Sequence, residues 1–231
     1  MNKISVITPT YNEEKTIVKT LESVSRLISP TEIIIVDGGS EDSTAKLIEE
    51  FKGPKPIKFV DAGLPNRGFQ MHEGTRHATG DVYWFIHADT RPRHGSGAQI
   101  LRFVKYEDVV GGHFEIIFSG RSRAAKFLTW LYPNLRRMGL VYGDSAFFVK
   151  KSAYEKVGGF EEYPLFEDFD LYRKLKKLGE WRFIPIPVET SSRRFEQRYF
   201  PWVFTKWALR QVLFWLGVPP RLLARTYRVI R

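Results

Sequence analysis

The 231-residue chain contains no cysteine. That excludes disulfides, thiolate metal sites and cysteine nucleophiles, and it fits a reducing compartment. No G-x-G-x-x-G follows the first strand pattern and no G-x-x-x-x-G-K-[ST] occurs, so neither a dinucleotide-binding fold nor a P-loop is supported. Internal repeats and low-complexity segments are missing as well. Pro9 interrupts the N-terminal strand pattern before an apolar signal core can form, so we expect no signal peptide and a cytoplasmic protein. Acidic residues are scarce in one region: from Thr190 onward nine lysines and arginines stand against Glu196 alone. Most of the net charge of +10 therefore lies in the last fifth of the chain. Nucleic-acid binding by the body of the protein is not expected, whereas the tail is suited to a negative surface.

Among what is present, the stretch Asp81-Val-Tyr-Trp-Phe-Ile-His-Ala-Asp-Thr90 stands out. A continuous apolar run that stops abruptly at His87, Ala88 and Asp89 describes a strand covered on both faces and ending in a polar site. In open α/β sheets ligands lie outside the carboxyl ends of the strands. Asp89 is placed there to hold a hard divalent cation, which in turn neutralises phosphates; the alternative is a loop aspartate capping the next helix.

Strand and helix alternate from the start. Strands are predicted over 4–7, 33–36, 57–60 and 82–86, with helices after Asn12, after Ser40 and over 67–78. The first helix should carry Glu13 and Glu14 in its first turn and bury Ile17, Leu21, Val24 and Ile28. This alternation calls for right-handed crossovers and a mostly parallel sheet between helices. All four strands end in small or polar residues, among them Thr8 and Thr10, Asp37 and Ser40, Asp61 and Gly63, and His87 and Asp89. A crevice lined this way suits a nucleotide with a metal ion. Further on, strands are expected over 111–118 and 146–149, helices over 121–138 and 167–178, and an edge strand over 181–188 because it contains Pro185 and Pro187.

Four pieces together, Val6-Ile-Thr-Pro-Thr-Tyr-Asn-Glu13, Val36-Asp-Gly-Gly-Ser40, His87-Ala-Asp89 and Phe166-Glu-Asp-Phe-Asp170, resemble the family 2 glycosyltransferases of GT-A fold. Gly68-Phe-Gln-Met71, Gly143-Asp-Ser145 and Ser191-Ser-Arg-Arg194 are similar to the subgroup of selenodomain-associated or arsenosugar-linked transferases. The resemblance implies a catalytic domain over 1–190 and a donor that is a nucleoside-diphosphate sugar, with a UDP-sugar favoured. It also implies that Thr8, Tyr11 and Glu13 border the base and ribose, that Asp37 contacts base or ribose, and that Arg67 approaches the nucleotide. Asp89 matches the last aspartate of the D-x-D motif and would ligate Mn2+ or Mg2+. His87 stands where the first aspartate is usual, which leaves its sugar or ribose contact open, although an imidazole can bond a hydroxyl. Asp168 matches the catalytic base, and a single base implies inversion, though retaining members of the fold exist.

Independently of the family, sugar transfer needs the leaving group's charge stabilised and a base beside the acceptor hydroxyl. Asp168 otherwise reads as a helix N-cap, and Asp170 should point elsewhere. Gln70 and His72 face either the donor or solvent, Asp144 binds a sugar or holds its turn, and Arg193 and Arg194 either clamp the diphosphate or lie on the surface. His77, His94 and His113 show no ligand spacing and read as structural. The tail, 191–231, is rich in tryptophan and arginine, with Arg221, Arg225 and Arg228 on one face and Leu222, Thr226 and Val229 on another. It suits the plane of an anionic membrane, which places the protein peripherally on the inner face of the cell membrane and makes the acceptor a lipid or something made there. The alternative is packing on the catalytic domain or on a second copy in a homo-oligomer. Two other functions stay open: a degenerate GT-A domain that binds nucleotide or membrane without turnover, for which His87 argues, and a sugar-1-phosphate nucleotidyltransferase, against which the residues Thr8-Pro-Thr-Tyr-Asn12 argue.

Overall fold

The computed structural model describes residues 2–196 and 200–225, the side chains of residues 30, 31 and 194 excepted. The Arg194 side chain and the tail positions Thr226, Arg228 and Val229 thus lie outside the described residues. Strand β1 (Ile4–Thr10) runs parallel between β2 (Pro30–Asp37) and β4 (Val82–Phe85), and β3 (Ile57–Asp61) continues the parallel set beyond β2. Their apolar runs are unbroken because alternate residues serve two cores. Ile4, Val6, Ile33 and Trp84 pack with α1 (Ile17–Ser25) and α2 (Thr44–Glu49), whereas Ile7, Ile34, Tyr83 and Phe85 pack with Met71 of α3 (Arg67–Arg76). Helix α3 comes close to β1 because Gly74 has no side chain; a Cβ there would stand 2.4 Å from Cγ2 of Ile7.

The second half adds β5 (Thr90–Arg91), α4 (Ser96–Phe103), β6 (Val109–Ser119), α5 (Arg123–Arg137), a 3-10 turn at Gly143–Ser145, β7 (Phe148–Lys150) and α6 (Lys151–Lys156). Then come α7 (Glu167–Lys176), β8 (Glu180–Ser191), α8 (Arg193–Glu196), α9 (Phe200–Trp215) and α10 (Pro220–Ala224). Strand β7 is antiparallel to β4 and β6, and the sheet order is β3-β2-β1-β4-β7-β6-β8-β5.

Two local expectations are corrected. Helix α1 ends at Ser25, so Ile28 falls out of its phase and is 69% exposed, while Leu27 takes the buried place. Glu13 and Glu14 precede that helix; the Glu13 carbonyl accepts from Thr16 N and Ile17 N in a turn. Among the described residues strand β8 pairs with β6 alone over 181–188, an edge there as expected, and β5 joins it only beyond, at Glu189 and Thr190. Its prolines are accommodated where the register against β6 slips, from Phe114 opposite Ile184 to Glu115 opposite Pro187, because a residue without an N–H fits a bulge and not a regular ladder.

Helix α9 docks on the body. Tyr142 donates to Oε1 of the buried Gln211 at 2.6 Å, and the rings of Phe214 and Phe166 lie 4.8 Å apart. With Trp207 and Leu213, they join a third core that includes Phe169 and Tyr172 of α7. Among the described residues no helix is long and apolar enough to cross a membrane.

His113 of β6 is buried, and its Nδ1 accepts from Nε1 of Trp181 at 2.8 Å. Burial, reinforced by the nearby Arg136 guanidinium, pushes its pKa down to about 3. The unfolded chain binds a proton at about pH 6.5 that the fold rejects. The stability His113 contributes is therefore complete above about 6.5 and is lost as pH falls toward 3, by up to about 1.4 kcal/mol per unit. Urea unfolding between pH 6.5 and 4.5 should give a shallower pH slope for His113→Gln than for the wild type; equal slopes would refute the assignment.

Candidate active site

The carboxyl ends of β1 and β4 open into a crevice of about 440 Å³. Tyr11 and Glu13 line it past the end of β1, Arg67 and Gln70 from α3, and His87 and Asp89 past the end of β4. Tyr132 of α5 and Trp207 of α9 close its far side.

Its floor is built by side chains that bind backbone. Asp37 is buried, and its Oδ1 accepts from Thr10 Oγ1 and Ser40 Oγ at 2.9 and 2.6 Å. Its Oδ2 accepts from Gly39 N and Ser40 N at 3.0 and 2.7 Å. Four such bonds hold the turn after β2 and tie it to β1. Gln70, also buried, donates from Nε2 to the carbonyls of Thr10 and Val36 at 2.7 and 2.8 Å, which fastens α3 to both strands. It is buried rather than a solvated surface residue, and it lines the crevice with both Nε2 hydrogens committed to the backbone. Thr8 lies fully buried beneath this floor. His72 is turned to the Tyr154 hydroxyl, 2.9 Å away, and does not line the crevice.

Charge gathers at the end of β4. His87 Nδ1 is 3.0 Å from Oδ1 of Asp144, which stands on the 3-10 turn and also lines the crevice. Among the described residues the buried Nε2 of His87 has no hydrogen-bond partner. Desolvation pushes the Asp89 carboxyl up to about 6; His87 and Arg193 oppose the rise, and Asp144 and Glu13 add to it. Arg193 of α8 pairs with Glu13, and its Nη2 is 3.8 Å from Oδ2 of Asp89. Thus Arg193, one of the two arginines singled out in the sequence, reaches the crevice.

Asp168 lies next to this cluster. Phe166 turns the chain in the left-handed conformation, φ 65°, and occupies the cap position of α7 without a side-chain cap bond. Asp168 is therefore not the N-cap. Its Oδ2 accepts from Gly143 N at 2.6 Å and is 3.7 Å from Nη2 of Arg67, while its Oδ1 accepts from Phe169 N. Arg67 also pairs with the buried Glu167. Burial and the neighbouring Glu167 raise the Asp168 pKa above the ordinary carboxylate range, against the opposing pull of Arg67 and the Gly143 N–H. Asp170 is turned to Lys174, 2.9 Å away.

The sequence profile of glycosyl transferase family 2 matches residues 5–163. The chain belongs to this family. It is 27% identical over 235 residues to the probable glycosyltransferase YdaM of Bacillus subtilis, covering 89% of this chain and 54% of that protein. It is also 36% identical over 123 residues to an undecaprenyl-phosphate 4-deoxy-4-formamido-L-arabinose transferase of Pectobacterium atrosepticum, covering 48% of this chain and 36% of the relative. The chain thus spans about half the length, or less, of these curated relatives. Among solved structures it resembles TarS 1–349 of S. aureus with UDP-GlcNAc, at TM-score 0.68 and 17% identity over 83% of this chain and 59% of that one. It also resembles the mannosyltransferase PcManGT from Pyrobaculum calidifontis with GDP-Man and Mn2+, at TM-score 0.67 and 22% identity over 87% and 59%. These likenesses establish the GT-A fold.

In this family member the crevice brings together Tyr11, Glu13, Arg67, His87 and Asp89, with Asp168 directly behind its wall. Thr8 and Asp37 sit beneath it. Among the described residues no three His, Cys, Asp or Glu side chains are grouped closely enough to hold a metal by themselves. A desolvated Asp89 with Asp144 and Glu13 nearby nevertheless suits a divalent ion that takes its other oxygens from a ligand's phosphates and from water. Glu167 was missed in the sequence, although it is adjacent to Asp168; two neighbouring acids opening a helix signal a basic partner, and Arg67 is that partner.

Gly143 holds the two clusters together. A Cβ on it would stand 2.8 Å from Nε2 of His87 and 3.0 Å from Oδ2 of Asp168. Gly143→Ala should therefore lower the unfolding free energy by about 1–3 kcal/mol, whereas Gly95→Ala, with nothing within 4 Å of its Cβ, should stay near neutral. Urea denaturation of the two variants, run in parallel, measures the difference.

Proposed function

We propose that the protein transfers a sugar from a nucleoside-diphosphate donor, with UDP favoured, to a hydroxyl on a lipid-borne acceptor, with inversion and with Asp168 as the base. The observation that carries this is the juxtaposition across Gly143 of a crevice-lining cluster, His87 with the acids Asp144 and Asp89, and a buried carboxylate of raised pKa. Asp89 would hold Mn2+ or Mg2+, which supplies positive charge to the departing diphosphate when bound. Arg67 and Arg193 add fixed positive charge on either side of the crevice. Tyr11, Glu13, Thr8 and Asp37 shape the nucleotide end, the last two from beneath by holding the strand ends.

Each oxygen of Asp168 already accepts one backbone N–H, and an ionised carboxylate offers about four lone-pair sites, so it can also take the acceptor's proton. Burial makes it a stronger base than an exposed aspartate, while Arg67 keeps the ionised form accessible. The undecaprenyl-phosphate relative and the basic tail favour a lipid acceptor and a peripheral position on the inner face of the cell membrane. His87 in place of an acid favours a second reading, a domain that binds nucleotide without turnover.

Calorimetry with UDP, GDP and dTDP, with and without Mn2+ or Mg2+, distinguishes the possibilities. Metal-assisted binding of one nucleotide, lost in Asp89→Ala, is expected; no binding of any would sink the transferase reading. Asp168→Asn should then lower transfer by about 10²–10⁴-fold with donor binding retained, and wild-type turnover in that variant would remove Asp168 from its role. Because a base acts deprotonated and burial raises this pKa, the wild-type rate should fall on the acid side at a pH above the usual carboxylate value of about 3.9.

A further inference from the structure

Helix α9 turns one apolar face to the body and keeps a second outside. Trp202, Leu209 and Leu216 recur every seven residues, on one side of the helix and its end, and are 59%, 56% and 75% exposed. The opposite side carries Trp207, Gln211 and Phe214, which pack inward. A helix apolar all round is normally buried, so this outer stripe calls for a covering phase. Helix α5 meets α9 on the inner side, where Phe127 packs against Phe200 and Phe204, both about 160° around the helix from Trp202, and it leaves the outer stripe uncovered.

The charge of this segment decides what covers it. Residues 200–225 contain four arginines and lysines and no acid. Lys206 places its ammonium 4.5 Å from the centre of the Trp202 ring, an arrangement of aromatic and cation suited to the level of lipid headgroups. A second copy of the chain would bring this basic surface against itself in a two-fold contact and be repelled. An anionic bilayer attracts it.

We infer that the outer stripe of α9 is a docking surface for an anionic lipid bilayer. Trp207, on the inner side of the same helix, lines the crevice, so the helix that rests on the lipid also borders the opening through which an acceptor enters. This deepens the proposal of a lipid-borne acceptor and rests on it for its biological meaning, but vesicle binding can be read without any catalytic step.

The test is co-sedimentation of the full chain with phosphatidylcholine vesicles, with and without phosphatidylglycerol. Wild-type protein should partition onto the anionic vesicles, weakly onto the neutral ones, and less at high salt. The Trp202→Ser, Leu209→Ser double variant, changed only at exposed positions, should lose on the order of tenfold in partitioning while keeping its thermal unfolding and its nucleotide binding. Absence of wild-type partitioning, or equal partitioning by the variant, overturns the inference. So does a wild-type dimer in sedimentation velocity that the variant dissolves, since a second copy would then cover the surface. Partitioning lost in the variant supports the surface even if neither protein binds nucleotide, a result that would count against the transferase assignment alone.

Discussion

Two adjacent carboxylates, Glu167 and Asp168, are buried at the start of α7, and Arg67 of α3 is the guanidinium that faces both. Burying two like charges side by side is untenable without a cation and donated hydrogen bonds. Arg67 supplies the cation, and Gly143 N–H and Phe169 N–H supply bonds to Asp168. This arrangement fixes more than one side chain. It joins α3, which forms a crevice wall, to α7, and it draws the turn carrying Asp144 against them, so that His87 meets its partner. The raised pKa of Asp168 follows from the same compromise: enough charge compensation to bury the group, not enough to make it an ordinary carboxylate.

Much of this was legible in the sequence because the physical causes are local. Unbroken apolar runs predicted strands covered on both faces, and polar residues at their ends predicted where the crevice opens. Pro185 and Pro187 marked irregular pairing in β8, although not the bulge that accommodates them or the two-residue β5 outside it. What could not be read depends on contacts made across the chain. Gln70 ties three elements through two carbonyls that come together only in the folded state. Asp37 stands before a glycine turn, and that its carboxylate also accepts from Thr10 of β1 is a contact only the fold makes. Ile28 fits the period of α1, but the helix ends before reaching it, and periodicity carries no information about where a helix stops.

The crevice holds an imbalance that its own residues correct only in part. Glu13, Asp89 and Asp144 stand close enough for Glu13 and Asp144 to raise the Asp89 pKa, and Arg193 opposes them from α8. Arg193 lies just ahead of the aromatic tail, so the cation facing the acids is carried by the segment that leads to α9. A diphosphate with a divalent ion would present the same acids with positive charge and present Arg193 with negative charge.

The tail shows why apolar content alone is a poor guide to what a helix does. Read as a string, 201–216 is aromatic and basic, and both packing on the body and lying on a membrane account for it. In the structure the two readings occupy opposite sides of α9. Trp207 points into the crevice wall and Trp202, five residues earlier, points out. A helix of 3.6 residues per turn separates such positions by about 140°, so a single element can seal a site with one side and rest on a surface with the other. That geometry ties the position of the crevice to whatever the outer stripe contacts, and it makes α9 part of the folded body as well as its exposed edge.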